Sequence, residues 1–237
     1  AWLATLIIVS TVMISIQTPT ATSAGSGVTI ATAAAGTATQ LEPQHAIWQN
    51  PRGLKFFYVI IQEGGTSGLR LYKSPDGSSW SLFSTLSPTA SFSARAFPYD
   101  DGSQLVVYVC YNYGTTKSWS PSNTYYRRLV ISDSDSDPSI GAEQNTGKSG
   151  EHCNIARDRN GYVHIVIWGS SSTEVRIFGT TTSNPGDSPN WSDTAQVVGH
   201  GGSSPTDDTS AIAVFGGTGN ILGVVGQRKS ASENVLY

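Results

Sequence analysis

The chain is short of charge, of cysteine and of methionine. Charged residues make up 13% of it, 14 Lys and Arg against 17 Asp and Glu, for a formal net charge of -3. No Lys/Arg stripe appears, which argues against a phosphate-tracking surface and against nucleic acid as a partner. Cys110 and Cys153 are the only cysteines. Two are too few for a disulfide framework or a cysteine-based zinc site. Each falls in an expected strand, in successive repeats, and either two buried thiols or one bridge fits that placement. Hydrophobic residues reach 38% of 237, enough for a real core in one large domain or two small ones. The polar surface must then come from Ser, Thr, Asn and Gly. The 25 Gly and 11 Pro sit mostly between apolar runs, a pattern of many short strands and turns rather than helices.

The first residues stand apart. Trp2 to Ile16 is apolar with Ser and Thr interspersed, Gln17-Thr18-Pro19 ends the run, and small residues follow to Ala24. An apolar stretch, a helix-ending proline and a small-residue cleavage site are the pattern of a secretory signal peptide. The run is short for a membrane span, which needs ~20 residues. Residues 1–24 are therefore expected to be a signal peptide, or else a retained N-terminal hydrophobic helix, the one route to a membrane. A secreted or cell-surface location follows from either. Residues 25–43 read as a linker, in which Val28 to Ala31 is a possible ring-closing strand.

From Gln44 onward a unit recurs about four times. A short first strand (His45 to Trp48, Ala94 to Phe97, Asn154 to Arg157, Ala211 to Val214) is followed by a turn at Gly53, Asp101-Gly102, Asn160-Gly161 or Gly219-Asn220. Asn-Gly and Asp-Gly are strong hairpin signals, because both central residues need positive φ. The second strands, Lys55 to Ile61, Gln104 to Tyr111, Tyr162 to Trp168 and Ile221 to Gly226, are almost continuously apolar, as strands covered on both faces must be. Third strands follow at Leu69 to Tyr72, Tyr126 to Ile131, Glu174 to Phe178 and Asn234 to Tyr237. Four strands recurring every fifty to sixty residues, roughly, is the arithmetic of a β-propeller. The expected fold is all-β, with three complete antiparallel blades and part of a fourth over residues 44–237, preceded by the N-terminal apolar helix. Either further blades lie beyond Tyr237 or four blades close a ring.

One hairpin tip is distinctive. Ser74-Pro75-Asp76-Gly77-Ser78-Ser79-Trp80 sits between the third and fourth strands of the first unit. Asp76 can accept from the turn's own N–H groups, Gly77 supplies positive φ, and Trp80 can pack back into the blade. This stretch resembles the Asp-box, or BNR repeat, of sialidase-like propellers. A degraded counterpart, Thr182 to Trp191, lies at the same place in the third unit, and His152 to Val166 is similar to a strand–turn–strand of such propellers, some polysaccharide lyases included. The resemblance implies a propeller truncated from six blades, with Ser74, Asp76, Gly77 and Trp80 structural and away from any active site. It also implies glycan recognition, with exo-sialidase or polysaccharide lyase activity open and a non-enzymatic adhesive or scaffolding module as the alternative.

Sialidases of this type use an Asp acid/base, a Tyr nucleophile paired with Glu, and three arginines, the first in a Phe/Tyr-Arg-Ile-Pro motif. Nothing here matches that motif. Ser93-Ala94-Arg95-Ala96-Phe97-Pro98 has another order, so no sialidase catalytic residue carries over. Reading from the residues alone, polar groups on first strands or their turns face the default binding mouth: His45, Arg95, Asp100, Asp101, His152, Arg157, Asp207 and Asp208. Arg95 and Arg157 could clamp an acidic sugar, and His152 could pair with Tyr111 as acid/base. A plainer role is open to each, a satisfied carbonyl for the histidines and a surface ion pair for the arginines. His164, mid-strand, reads as a satisfied histidine between blades. Trp119, in the Asn112 to Asn123 insertion, is the preferred exposed glycan contact, and His45, on the first strand of the first unit, is a weaker one. The run Ser132 to Asp137 lacks calcium-loop spacing and reads as a solvated loop. No cofactor and no metal are expected.

Overall fold

The computed structural model describes residues 47–62, 68–88, 91–113, 122–133, 138–169, 174–199, 210–215 and 221–226. These residues are all-β, and every strand pairing among them is antiparallel. None of them is helical. The apolar segment 1–24, the strand expected at Val28 to Ala31 and the third strand of the fourth unit lie outside the described residues.

The first unit is a four-stranded meander of β1 (Ile47–Gln49), β2 (Phe57–Gln62), β3 (Leu69–Ser74) and β4 (Ser81–Ser87), in that order. The second begins with β5 (Ser91–Asp100), β6 (Leu105–Tyr113) and β7 (Ser122–Ile131), with the two-residue β8 (Ser139–Ile140) beside β7. The third holds β10 (Val163–Gly169), β11 (Glu174–Thr180) and β12 (Trp191–Gly199). A hairpin of β13 (Ser210–Phe215) and β14 (Ile221–Gly226) opens the fourth.

Strand β9 (Gln144–Arg157) joins the second and third units. Its first half pairs with β7, from Tyr126↔Gln144 to Ser122↔Gly150. Its second half pairs with β10, from Gly169↔Gly150 to Val163↔Arg157. Gly150 belongs to both ladders. The short first strand expected at Asn154 to Arg157 is thus the end of a 14-residue strand. β9 therefore serves as the outer strand of one meander and the first strand of the next.

The packing follows from β6. Eight consecutive residues, Leu105 to Asn112, are buried, so both faces of the strand are covered. Leu105, Val107, Val109 and Tyr111 face a core with Tyr58, Ile60, Leu69, Leu71, Leu86, Leu129 and Ile131. Val106, Tyr108 and Cys110 face a second core with Tyr126, Cys153, Ile155, Val163, Ile165, Ile167 and Phe178. The period-2 alternation of a strand sends its side chains into two layers at once. At ~1.5–3 kcal/mol for each fully buried Val, Leu or Ile side chain, this shared strand is a main source of stability. The first strands of successive units also lie against one another, β5 against β9 and β9 against β13.

The turns between third and fourth strands form as their residues dictate. Asp76 Oδ1 accepts from the backbone N–H of Ser78 at 2.7 Å and of Ser79 at 2.6 Å. Ser74 Oγ accepts from the Gly77 N–H at 2.8 Å, and Gly77 has φ 74. The Trp80 indole donates back to Gly77 O at 3.0 Å. The degraded counterpart uses different bonds for the same end. Tyr126 donates to Gly186 O at 3.1 Å, Trp191 donates to Gln144 Oε1 at 3.2 Å, and the Trp191 ring sits edge-on to Tyr126 and Phe178.

Candidate functional site

The residues singled out in the sequence are scattered. Asp101 caps the β5–β6 turn, accepting from the N–H groups of Ser103 and Gln104, both at 2.8 Å. Partial burial works to raise its pKa, but these donors outweigh it and hold the carboxyl at about 2. Asp100 is exposed, accepts from the Gly102 N–H at 2.9 Å and lies 3.6 Å from Arg52. Arg52 makes a two-pronged bond to Asp133, at 2.7 and 3.0 Å, which ties a turn of the first unit to the second.

Arg95 is 3% exposed, with its guanidinium donating to Ala94 O at 3.2 Å. Arg157 lies at the end of β9, half-buried, with its guanidinium 3.8 Å from the centroid of the Tyr99 ring. It donates to Asn184 Oδ1 at 2.6 Å and to Asp158 O at 3.2 Å. His164 is buried and its Nε2 lies 3.1 Å from Asp158 Oδ2. His152 lies on β9, while His45, Trp119, Asp207 and Asp208 fall outside the described residues.

Tyr111 is where polar groups gather. It is fully buried, and its hydroxyl donates to Glu143 Oε2 at 2.5 Å. Tyr113 donates to the other carboxylate oxygen, Oε1. Arg127 Nε donates to the Tyr111 hydroxyl at 3.3 Å and Nη1 to Gly141 O at 3.0 Å, with Nη2 4.0 Å from Glu143. Tyr113 and Tyr125 stack at 3.9 Å between centroids, and Tyr125 stacks on Tyr111 at 5.9 Å. Tyr113, Tyr125, Arg127 and Glu143 all keep some exposure.

Strand geometry explains the gathering. Tyr111 and Tyr113 are two apart on β6, and Tyr125 and Arg127 are two apart on β7, so each pair shares a face. The pairing Tyr111↔Tyr125 sets the two faces side by side. Glu143 arrives from the segment just before β9. Burial, and then the Glu143 carboxylate, push the Tyr111 phenol well above its ordinary value and the Tyr113 phenol up to about 12. Both phenols are therefore neutral donors at physiological pH, and Glu143 is their acceptor.

This cluster and Arg157 lie on opposite sides of β6. Tyr111 belongs to the layer toward the first unit, whereas Tyr108, whose pKa burial raises against the lowering by nearby Arg157, belongs to the layer toward the third. Asp101 and Tyr111 are at opposite ends of the strand. Of the sequence candidates, Tyr111 alone enters the cluster. Arg127 and Glu143 were not among them. The alternation in Tyr125-Tyr126-Arg127-Arg128 could have flagged Arg127, but nothing local marks Glu143.

No protein-family model and no curated protein matches this chain. Among solved structures, an exo-β-1,3-galactanase from Clostridium thermocellum aligns at 11% identity and a TM-score of 0.28, over 78% of this chain and 54% of that one. The chain thus spans about half the length of that galactanase. An endo-arabinase from Bacteroides thetaiotaomicron aligns at 10% identity and a TM-score of 0.27, over 85% of this chain and 94% of that one. Each superposes too loosely to speak for the activity of this protein.

Proposed function

We propose that the chain forms a secreted, sialidase-like β-propeller fold of the Asp-box type that recognises extracellular glycans, with residues 1–24 as its signal peptide. Consecutive antiparallel meanders packed face to face through β6, with first strands against one another, support the propeller reading. The folded turn at Ser74 to Trp80 supports the Asp-box reading. The observation that carries the binding role is the stacked Tyr113–Tyr125 pair beside Glu143 and Arg127. Aromatic faces pack on the C–H faces of sugar rings, and a flanking carboxylate and guanidinium exchange hydrogen bonds with hydroxyls.

The same geometry favours binding over turnover. Tyr111 is buried and held neutral, which is unfavourable for a nucleophile. Asp101 and Arg157 are committed to turns and packing. The test is a panel of immobilised acidic and neutral glycans, run with a fluorogenic sialoside and with anionic polysaccharides as substrates. Saturable glycan binding without turnover supports the proposal. Sialoside or polysaccharide turnover would replace the binding module by the enzyme, and absence of binding to every glycan would reject both.

A further inference from the structure

Cys110 and Cys153 stand out for a reason the glycan reading does not use. Cys110 is in the middle of β6 and Cys153 on the second half of β9, neither is in a disulfide, and both are buried, 0% and 1% exposed. They belong to one buried side-chain layer, in which the neighbouring Cys153 thiol adds to the upward shift of the Cys110 pKa. A separate contact fixes the backbones that carry them. Asn112, on the same face of β6 as Cys110, is fully buried. Its Oδ1 accepts from the Cys153 N–H at 3.1 Å, and its Nδ2 donates to Gly150 O at 3.0 Å and Thr124 Oγ1 at 3.0 Å. One side chain thus clamps β9 against β6 where β9 passes from one meander to the next.

We propose that Cys110 and Cys153 are a latent disulfide across the β6–β9 seam, closed by exchange with a low-molecular-weight disulfide. A bridge needs neighbouring backbones whose side chains share one layer, which is what the Asn112 clamp and the common core of Cys110 and Cys153 provide. Burial pushes the Cys110 thiol well above its ordinary pKa, so the folded dithiol reacts slowly. Closure therefore takes place as the seam forms during folding, or when it opens. One cysteine thiolate attacks a sulfur of oxidised glutathione, the glutathione S–S bond breaks, and one glutathione thiolate leaves. The second cysteine thiolate then attacks the mixed disulfide at the protein sulfur and releases the second glutathione. The two thiol protons end on the two glutathiones, so two electrons pass from the protein to the glutathione disulfide. The bridge would enclose β7 together with Tyr113, Tyr125, Arg127 and Glu143, tying the tyrosine cluster into a closed loop.

The experiment refolds the full chain in a buffer of oxidised and reduced glutathione. The expected product has lost the mass of two hydrogen atoms and carries no glutathione adduct. Proteolysis yields a Cys110–Cys153 cross-linked peptide, and the unfolding midpoint is higher than that of the same protein after reduction. In Cys110→Ser the same treatment leaves the midpoint unshifted. If that variant does not fold, the unmutated chain measured with and without reductant supplies the comparison. Thiols that stay open to alkylation after refolding in excess oxidised glutathione would overturn the proposal. So would glutathione adducts in place of the bridge, or a bridged form less stable than the dithiol. None of these outcomes depends on glycan binding, so failure here leaves the binding reading untouched.

Discussion

Arg157 spans two units: its guanidinium covers the Tyr99 ring of β5 at 3.8 Å and bonds Asn184 in the turn between β11 and β12 at 2.6 Å. A cation over an aromatic face and a charge-assisted hydrogen bond each contribute on the order of 1–2 kcal/mol. Arg157→Ala is expected to lower the unfolding free energy by about 1–3 kcal/mol, with glycan affinity unchanged. Arg157→Lys recovers only part, because an ammonium cannot reproduce the planar fork. Chemical denaturation of the three proteins beside a glycan titration checks this. A large loss of affinity at unchanged stability would return Arg157 to the binding site.

Acid should weaken the hairpin tip at Asp76. The backbone N–H groups of Ser79 and Ser78 hold this carboxyl at about 2. A group whose pKa is depressed on folding stabilises above its unfolded value, ~3.9, and loses that contribution as pH falls through its folded value. The wild-type midpoint should therefore drop between pH ~4 and ~2 by more than that of Asp76→Asn. Because Asp101 is depressed to a similar value, some acid sensitivity persists in the variant. Parallel pH curves for the two proteins would show that Asp76 does not hold the tip.

Shared burial of β6 makes the units unfold together. Leu129 lies in the layer toward the first unit and Ile165 in the layer toward the third, both fully buried. Leu129→Ala and Ile165→Ala should each cost ~2–5 kcal/mol. Both should shift one common transition, read by fluorescence and by circular dichroism. Two separated transitions, each moved by only one substitution, would mean that the layers fold independently.

The parts legible in the sequence are those that local chemistry fixes. The Ser74 to Trp80 turn is written in Asp76 and Gly77, and the two-faced burial of β6 is written in Leu105 to Tyr111. His164 reads from sequence as a satisfied histidine; Asp158 meets its Nε2, but its Nδ1 is buried without a hydrogen-bond partner among the described residues. What escaped is non-local. Gln144 to Gly150 is polar and contains two glycines, so nothing in it announces a strand; it becomes one because β7 presents a free ladder. Glu143 carries no local signal either, and its role appears only when β6, β7 and the approach to β9 are brought together. Arg95 shows what a strand position alone leaves out. An arginine on a first strand suggests an open channel mouth, yet this one is buried beside Cys110.

Recognition at the tyrosine pair is most directly tested by titrating the intact protein with a glycan that binds it, beside Tyr113→Ala and Glu143→Gln. Loss of one aromatic face costs on the order of 1–1.5 kcal/mol beyond simple burial, or roughly tenfold in affinity. The expected result is a loss of tenfold or more in both variants, with unfolding cooperativity retained. Undiminished affinity in both folded variants would contradict the account.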